Sequence, residues 1–154
     1  TPREVPEIAG GNWERGRDLF FGAGACSTCH QINDEGGSFG PDLTNLVHRD
    51  YASVLQDILE PSATLNPDYL AVTMQLKNGQ SVSGIQLQGS SEHYILAQPT
   101  GENLTVARAE VVPGSTKPLG VSLMPPGLLE ALNEQQQKDL MMYLLTVKPG
   151  RPER

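Results

Sequence analysis

Two cysteines and one histidine stand side by side in this chain of 154 residues and are its strongest indication of chemistry. Cys26 and Cys29 are the only cysteines, and His30 follows the second one directly. Two thiols at this spacing on a tight turn can each add to a vinyl group of haem, and the adjacent imidazole can then bind the iron from one side. The pattern therefore predicts one covalently attached haem c, with its iron bound by His30.

Three other interpretations of the two cysteines remain open. A disulfide between them would close a loop too small to stabilise the chain much. A thioredoxin-like redox pair should follow a buried strand and begin a helix, whereas this pair follows residues 20–25, which are typical of a helix end. A zinc site would need two further ligands, and the remaining histidines, His48 and His93, belong to no paired motif.

The flanking segments predict two helices that must position the motif. Asn12 is a suitable N-cap for a helix before the cysteines, and Gly16 on its apolar face would let another helix cross closely. Near the far end, Asn133 and Gln136 have the spacing of a capping box for a terminal helix. The apolar face of that helix is formed by Leu140, Tyr143, Leu144 and Val147.

Two loops complete the predicted surroundings of the motif. Gly40 and Pro41 follow a glycine-rich loop over residues 34–40. Met124 lies in a loop that two prolines stiffen, just before the terminal helix. A thioether in such a loop is a candidate ligand for iron.

In this order, the segments resemble a class I cytochrome c. The resemblance implies that His30 is the proximal ligand, that the carbonyl of Pro41 accepts a hydrogen bond from its other ring nitrogen, and that Met124 is the distal ligand. The first and last helices would cross at three residues, Gly16, Phe20 and Tyr143.

Other side chains compete with Met124 for the iron. Met74 falls on the apolar face of a predicted strand, where a core position is the simpler interpretation. Met141 and Met142 are adjacent on the terminal helix, so at most one could face a haem. His48 is the main rival, because it lies just before a second predicted helix. Three arginines could pair the haem propionates, but we expect them to be solvated: Arg15, Arg17 and Arg49.

The 94 positions between His30 and Met124 exceed what an ordinary small cytochrome c needs. Asp50 caps an amphipathic helix that Pro61 ends. After it, apolar residues alternate with polar ones, and Asn78-Gly79 is a strong hairpin signal. We predict a mainly α cytochrome c core at 10–67 and 114–148. A small antiparallel sheet or SH3-like barrel at 68–113 would be inserted into this core, which makes the whole fold α+β. The termini at 1–9 and 149–154 would be flexible.

This combination resembles a more particular family, the haem-binding domain of planctomycete and verrucomicrobial proteins. That domain often ends large exported chains that contain dehydrogenase-like or propeller domains. The resemblance rests on several stretches of this chain, at 40–43, 60–62, 66–69, 77–80, 122–128 and 139–144. The resemblance does not supply the redox partners. For a one-electron carrier we expect a fused or separate dehydrogenase as electron donor and a respiratory cytochrome or oxidase as acceptor. Covalent haem attachment in such proteins implies a periplasmic or otherwise exported location.

The composition excludes other classes of function. A formal charge of −7 gives no electrostatic footprint for nucleic acid or an anionic membrane, and no apolar run could span a bilayer. Because the chain begins at Thr1 without a visible signal peptide, we expect a mature or excised fragment. We expect an electron carrier, not an enzyme; the alternatives are a gas or redox sensor with a dissociable Met124, or a partner-docking module. The inserted sheet could also support an oligomer.

Overall fold

A computed structural model describes residues 3–63 and 65–149, which form two compact units. The first unit contains the described residues up to Glu60 and those from Pro126 onward, and the second runs from Pro61 to Pro125. The described fold mixes three α-helices with a five-stranded and a two-stranded sheet. None of the described helices is long and apolar enough to cross a bilayer.

The three α-helices each begin directly after the residue predicted to cap them. They are α1 (Trp13–Phe21), α2 (Tyr51–Leu59) and α3 (Glu134–Leu145). The side chains of Asn12, Asp50 and Asn133 each accept a backbone N–H from the first turn, which satisfies a donor that the helix itself leaves free. Short 3-10 helices cover Pro6–Ile8, Cys26–Thr28, Thr44–His48, Pro67–Tyr69 and Arg108–Glu110.

Helices α1 and α3 cross at Gly16, as predicted. A Cβ on Gly16 would lie 1.8 Å from the backbone oxygen of Asp139, so only glycine permits this approach. Aromatic rings pack around the crossing, with the centroid of Tyr143 4.9 Å from that of Trp13 and 5.3 Å from that of Phe20. The crossing places the end of α1, and with it the start of the cysteine motif, on a rigid support.

A buried carboxylate locks the same two helices together. Asp139 is 2% exposed and accepts hydrogen bonds from the Arg15 guanidinium, the Gln135 amide and the backbone N–H of Asn12. Burial would raise the pKa of Asp139, but these donors together hold it below its usual value. The carboxylate therefore stays ionised inside the core.

The segment at residues 3–9, which we predicted to be flexible, contributes to the first unit. Ile8 is 1% exposed and belongs to the apolar core of the first unit. The guanidinium of Arg3 donates to backbone carbonyls at the ends of two helical segments, those of Val47, Arg49 and Leu145 among them. Buried side-chain area and these charge-assisted bonds hold this segment in the first unit. At the other end, residues 150–154 lie outside the described residues.

The strands form two antiparallel sheets. Strands β1 (Gln31–Ile32) and β2 (Glu35–Gly36) make a small hairpin directly after the cysteine motif. The larger sheet contains β3 (Ala71–Gln75), β4 (Ser81–Leu87), β5 (His93–Ala97), β6 (Asn103–Ala107) and β7 (Lys117–Pro118). Its order is β6-β5-β4-β3-β7, so β6 and β7 lie at its edges.

The second unit has a core of its own. Met74 and Leu96 are fully buried there, and Val106 and Val111 pack with them. The larger sheet has five strands, and in the described residues no pairing between β6 and β7 closes it into a barrel. The sheet is therefore open, with its apolar face covered within the unit.

Candidate functional site

The cysteine motif forms a tight turn immediately after α1. Cys26 begins a 3-10 helix, and the backbone N–H of His30 donates to the carbonyl of Cys26 over 2.9 Å. Ala25, just before the turn, has a left-handed backbone with φ of 57°, which reverses the chain direction sharply. The turn brings the two thiols and the imidazole of one short segment together at one end of α1.

The glycine-rich loop clamps this turn by backbone contacts. The N–H of Gly37 donates to the carbonyl of Ser27 over 2.8 Å, and the N–H of Gly40 donates to that of Cys29 over 2.7 Å. A Cβ on Gly36 would lie 2.1 Å from the carbonyl oxygen of His30. The loop can approach so closely only because it lacks side chains at these positions.

The imidazole of His30 is oriented by Pro41. Its Nδ1 lies 2.7 Å from the carbonyl oxygen of Pro41. A carbonyl can only accept, so this contact assigns the proton to Nδ1 and leaves Nε2 as the nitrogen with a lone pair. Burial lowers the pKa of His30, although the Pro41 bond partly opposes that effect. A neutral imidazole is the form that binds a metal ion.

Gly40 also restrains the His30 ring, a contact that the sequence analysis did not anticipate. A Cβ on Gly40 would lie 2.7 Å from Cε1 of His30 and 2.9 Å from Nδ1. Any side chain there would displace the ring. A glycine directly before Pro41 is the only local indication of this contact in the sequence. Gly40 lies close to the His30 ring only because the loop folds back onto the cysteine turn.

The two thiols are unpaired and protonated. Both cysteines are free of a disulfide, and burial raises the pKa of Cys26 to about 11. Burial also raises the pKa of Cys29. A thioredoxin-like pair needs a thiol whose pKa is lowered, so these values disfavour redox chemistry of the thiols. No group of three or more acidic, cysteine or histidine side chains among the described residues is placed to hold a metal such as zinc.

Met124 lies in a loop of the second unit, half-buried, with two serines holding its backbone. Its N–H donates to the hydroxyl of Ser122 over 3.1 Å. The N–H of Ser122 donates in turn to the hydroxyl of Ser62 over 3.0 Å. Both bonds lie on the N-terminal side of the loop and join residues of its own unit.

The competing ligands have other surroundings. Met74 and Met141 are enclosed in the cores of the second and first unit, at 0% and 1% exposure. Met142 packs against the core of the first unit. His48 is exposed and borders a cleft of about 200 Å³ whose lining includes Arg3 but no residue of the cysteine motif. His93 begins β5 and is half-buried.

The three arginines expected to be solvated have exposed side chains, and each also makes an ion pair. Arg15 bonds Asp139 over 2.8 Å, and Arg49 bonds Asp57 over 2.8 Å. Arg17 bonds Glu35 over 2.5 Å and so links α1 to the β1–β2 hairpin. Each of these carboxylates is distant from its arginine in sequence or lies on another element, which is why a charge pattern alone did not reveal the pairs.

Comparison with known proteins agrees with this geometry. The family model for cytochrome c matches residues 13–148, a span that includes the cysteine motif and all three α-helices. None of the curated proteins compared with the chain matches it. The family implies covalently bound haem c with its iron, electron transfer, and redox partners. The chain belongs to the cytochrome c family.

Proposed function

We propose that this chain is a one-electron carrier with a single haem c, whose axial ligands are His30 and Met124. The observation that carries the proposal is the His30 imidazole, which has Nδ1 fixed on Pro41 and Nε2 left for a metal. Two free thiols lie in the same turn. When bound, the haem supplies an iron that alternates between the ferrous and ferric states.

Cys26 and Cys29 would hold the haem by thioether bonds. In each addition the S–H bond and the vinyl π bond break, while one C–S and one C–H bond form, so no electron is gained or lost. The absence of a disulfide supports thiols that remain available for this reaction. Attachment of this type takes place outside the cytoplasm in the family, so we propose a periplasmic or otherwise exported location.

Pro41 would keep His30 in one tautomer and one orientation. A hydrogen bond from the outer nitrogen of a ligating histidine raises its basicity and prevents rotation of the ring. Gly40 supports the same orientation from the ring face. A rigid ligand changes little between oxidation states, which suits rapid electron exchange.

Met124 would fill the remaining axial position. A thioether favours the ferrous state and raises the potential relative to a second histidine. Burial of Met74 and Met141 in the two cores supports Met124 among the methionines. With both positions filled by protein, no site remains for a substrate, so we propose a carrier and not an enzyme.

The donor would be a dehydrogenase, fused in a longer chain or separate, and the acceptor a respiratory cytochrome or oxidase. The proposed carrier role supports this assignment, because a carrier needs one protein that reduces it and another that oxidises it. The chain also contains a sheet between α2 and the Met124 loop. That arrangement is the feature in which the chain departs most from a small cytochrome c.

Extraction of the coloured protein with acidified organic solvent tests the attachment. The haem should stay with the wild-type protein and with each single variant, Cys26→Ala or Cys29→Ala, because one thioether is enough to retain it. The double variant should release its haem. Free extraction from the wild type, or zinc as the bound metal, would refute the proposal.

A haem-based sensor is the second candidate. It is favoured by the half-buried position of Met124 in an irregular loop, from which a ligand could dissociate. A sensor would bind carbon monoxide rapidly in the ferrous state, whereas a carrier would not. Absorption spectra of the ferrous and ferric protein with and without carbon monoxide separate the two.

A further inference from the structure

The two edge strands of the five-stranded sheet have opposite characters. Strand β7 has only two residues, Lys117 and Pro118, and both residue types discourage pairing with another chain. Strand β6 has five residues, Asn103–Ala107, without charge or proline. Among the described residues, no strand pairs with the outer side of β6. One edge is therefore protected and the other is open.

The hydrogen-bond pattern identifies which groups of β6 point outward. The ladder to β5 continues at both ends, where the N–H of Arg108 donates to Glu92 and the N–H of Gln98 donates to Glu102. Because residues alternate along an antiparallel ladder, Glu102, Leu104 and Val106 direct their backbone groups towards β5. The backbone groups of the intervening residues, Asn103, Thr105 and Ala107, point away from the sheet.

We propose that β6 pairs antiparallel with β6 of a second copy of this chain, about a two-fold axis at Thr105. In this register Thr105 faces its own copy, and Asn103 faces Ala107 of the second copy. Each facing pair exchanges two backbone hydrogen bonds, so every outward group of the strand gains a partner. An interface with the same patch on both sides is the usual form of a homodimer.

Charge at the two ends of the strand supports this register. Glu102 precedes β6 and Arg108 follows it, so two-fold pairing about Thr105 places each glutamate opposite the arginine of the other copy. A shift of two residues in one direction would instead place Glu102 opposite Glu110. The opposite shift would place it opposite Val106. Opposite charges across a strand pair stabilise it, whereas like charges destabilise it.

Side-chain burial favours the same arrangement. Leu104 is 37% exposed, although its neighbour on the same face, Val106, is buried. In the proposed register Leu104 lies opposite Val106 of the second copy, which would cover its exposed part. A single strand pair makes a small interface, so we expect a weak, concentration-dependent dimer and not a permanent one.

Sedimentation velocity of the haem-loaded chain tests the proposal. The average mass of the wild type should rise with concentration from that of one chain towards that of two. Thr105→Pro should remain at one chain, because it removes an outward N–H while leaving the ladder to β5 intact. The matched control, Thr105→Val, keeps that N–H and should dimerise like the wild type.

If Thr105→Pro disturbs the fold, a second variant still tests the proposed dimer. Glu102→Arg faces Arg108 of the second copy and should weaken dimerisation, while circular dichroism and the haem spectrum stay those of the wild type. A wild type that remains at one chain at every concentration would overturn the proposal. So would a dimer that Glu102→Arg and a folded Thr105→Pro both leave unchanged, since another surface would then form it.

Discussion

At the scale of single residues, His30 is held by one backbone contact and two contacts to its imidazole ring. Its backbone N–H is bound to Cys26, its Nδ1 to Pro41, and its ring face lies against Gly40. Each contact comes from a different part of the motif or loop. A ligand held in this way enters a metal site already oriented, so little ordering is left for binding to accomplish.

We predict that Gly40→Ala will displace the His30 ring and destabilise the protein, although the substitution adds only one methyl group. The new methyl group would overlap the His30 ring and break the Nδ1–Pro41 bond. Overpacking of this kind costs about 1–3 kcal/mol, which denaturant unfolding can measure. Nuclear magnetic resonance of the ring protons should report the reorientation, and the exposed Ser38→Ala in the same loop is the control. An unshifted His30 ring in Gly40→Ala would show that this contact does not orient the ligand.

Replacement of Met124 by leucine should remove the second axial ligand. We expect high-spin character in at least one oxidation state and a lower reduction potential, because the iron loses a thioether that favours the ferrous form. Met74→Leu is the matched control, since it exchanges similar volumes within a core and should leave the spectrum unchanged. If Met124→Leu also retains the wild-type spectrum, His48 or another group is the ligand.

At the scale of elements, the packing of α1 against α3 positions the cysteine turn, which follows α1 directly. The contact combines a glycine, a ring cluster and the ion pair of Asp139 with Arg15. The carboxylate also accepts the N–H of Asn12, which is itself the cap of α1. The start of α1 is therefore fixed to the middle of α3.

Asp139→Asn should destabilise the protein by about 1–3 kcal/mol near neutral pH, because it weakens several hydrogen bonds to a buried group. The folded-state pKa of Asp139 is depressed, so its ionised form stabilises the fold above the ordinary aspartate pKa of about 3.9. That contribution is lost as the pH falls through the lower folded-state value. The difference in unfolding free energy between wild type and variant should thus shrink in acid.

The exposed pair of Arg17 with Glu35 gives the control for Asp139. Glu35→Gln should cost less than about 1 kcal/mol, because solvent screens an exposed ion pair. A stability difference for Asp139→Asn that does not depend on pH below about 4 would contradict the assignment of an ionised carboxylate.

Structural features that depend on residues close together in the sequence could be predicted. The caps at Asn12, Asp50 and Asn133 are local, and so is the alternation that gives β3 to β6. The β1–β2 hairpin was missed within a loop rich in glycine, although Asn33 and Asp34 at its tip have the positive φ that such turns require.

Features that depend on distant residues could not be predicted. Lys117 and Pro118 have no strand-like alternation, and β7 exists only because β3 lies beside it. The same holds for the Arg15–Asp139 pair, the contact of Gly40 with His30, and the packing of Ile8. Each joins groups that the fold, and not the local pattern, brings together.

At the scale of the whole molecule, negative charge is concentrated in the N-terminal part. Residues 1–62 carry 10 acidic and 4 basic side chains, against a total charge of −7. The four arginines of this part are already engaged, Arg3 with backbone carbonyls and the others with carboxylates. The part of the chain that contains the cysteine motif therefore presents an excess of unpaired negative charge.

Electron transfer to a basic acceptor should slow as ionic strength rises, because screening removes the attraction that steers the two proteins together. Stopped-flow kinetics with an acceptor of high isoelectric point measures this dependence directly. An uncharged small-molecule oxidant is the control and should show little change. Faster transfer to the protein acceptor at high salt would contradict docking through negative charge.

Absorption spectra of the purified protein in both oxidation states, with and without carbon monoxide, test the central claim most directly. If His30 and Met124 both bind the iron, the spectra are low-spin and six-coordinate in each state, and the ferrous protein does not bind carbon monoxide rapidly. A high-spin ferrous spectrum that carbon monoxide shifts at once would contradict the account, because it would show an open coordination position and therefore a sensor or enzyme.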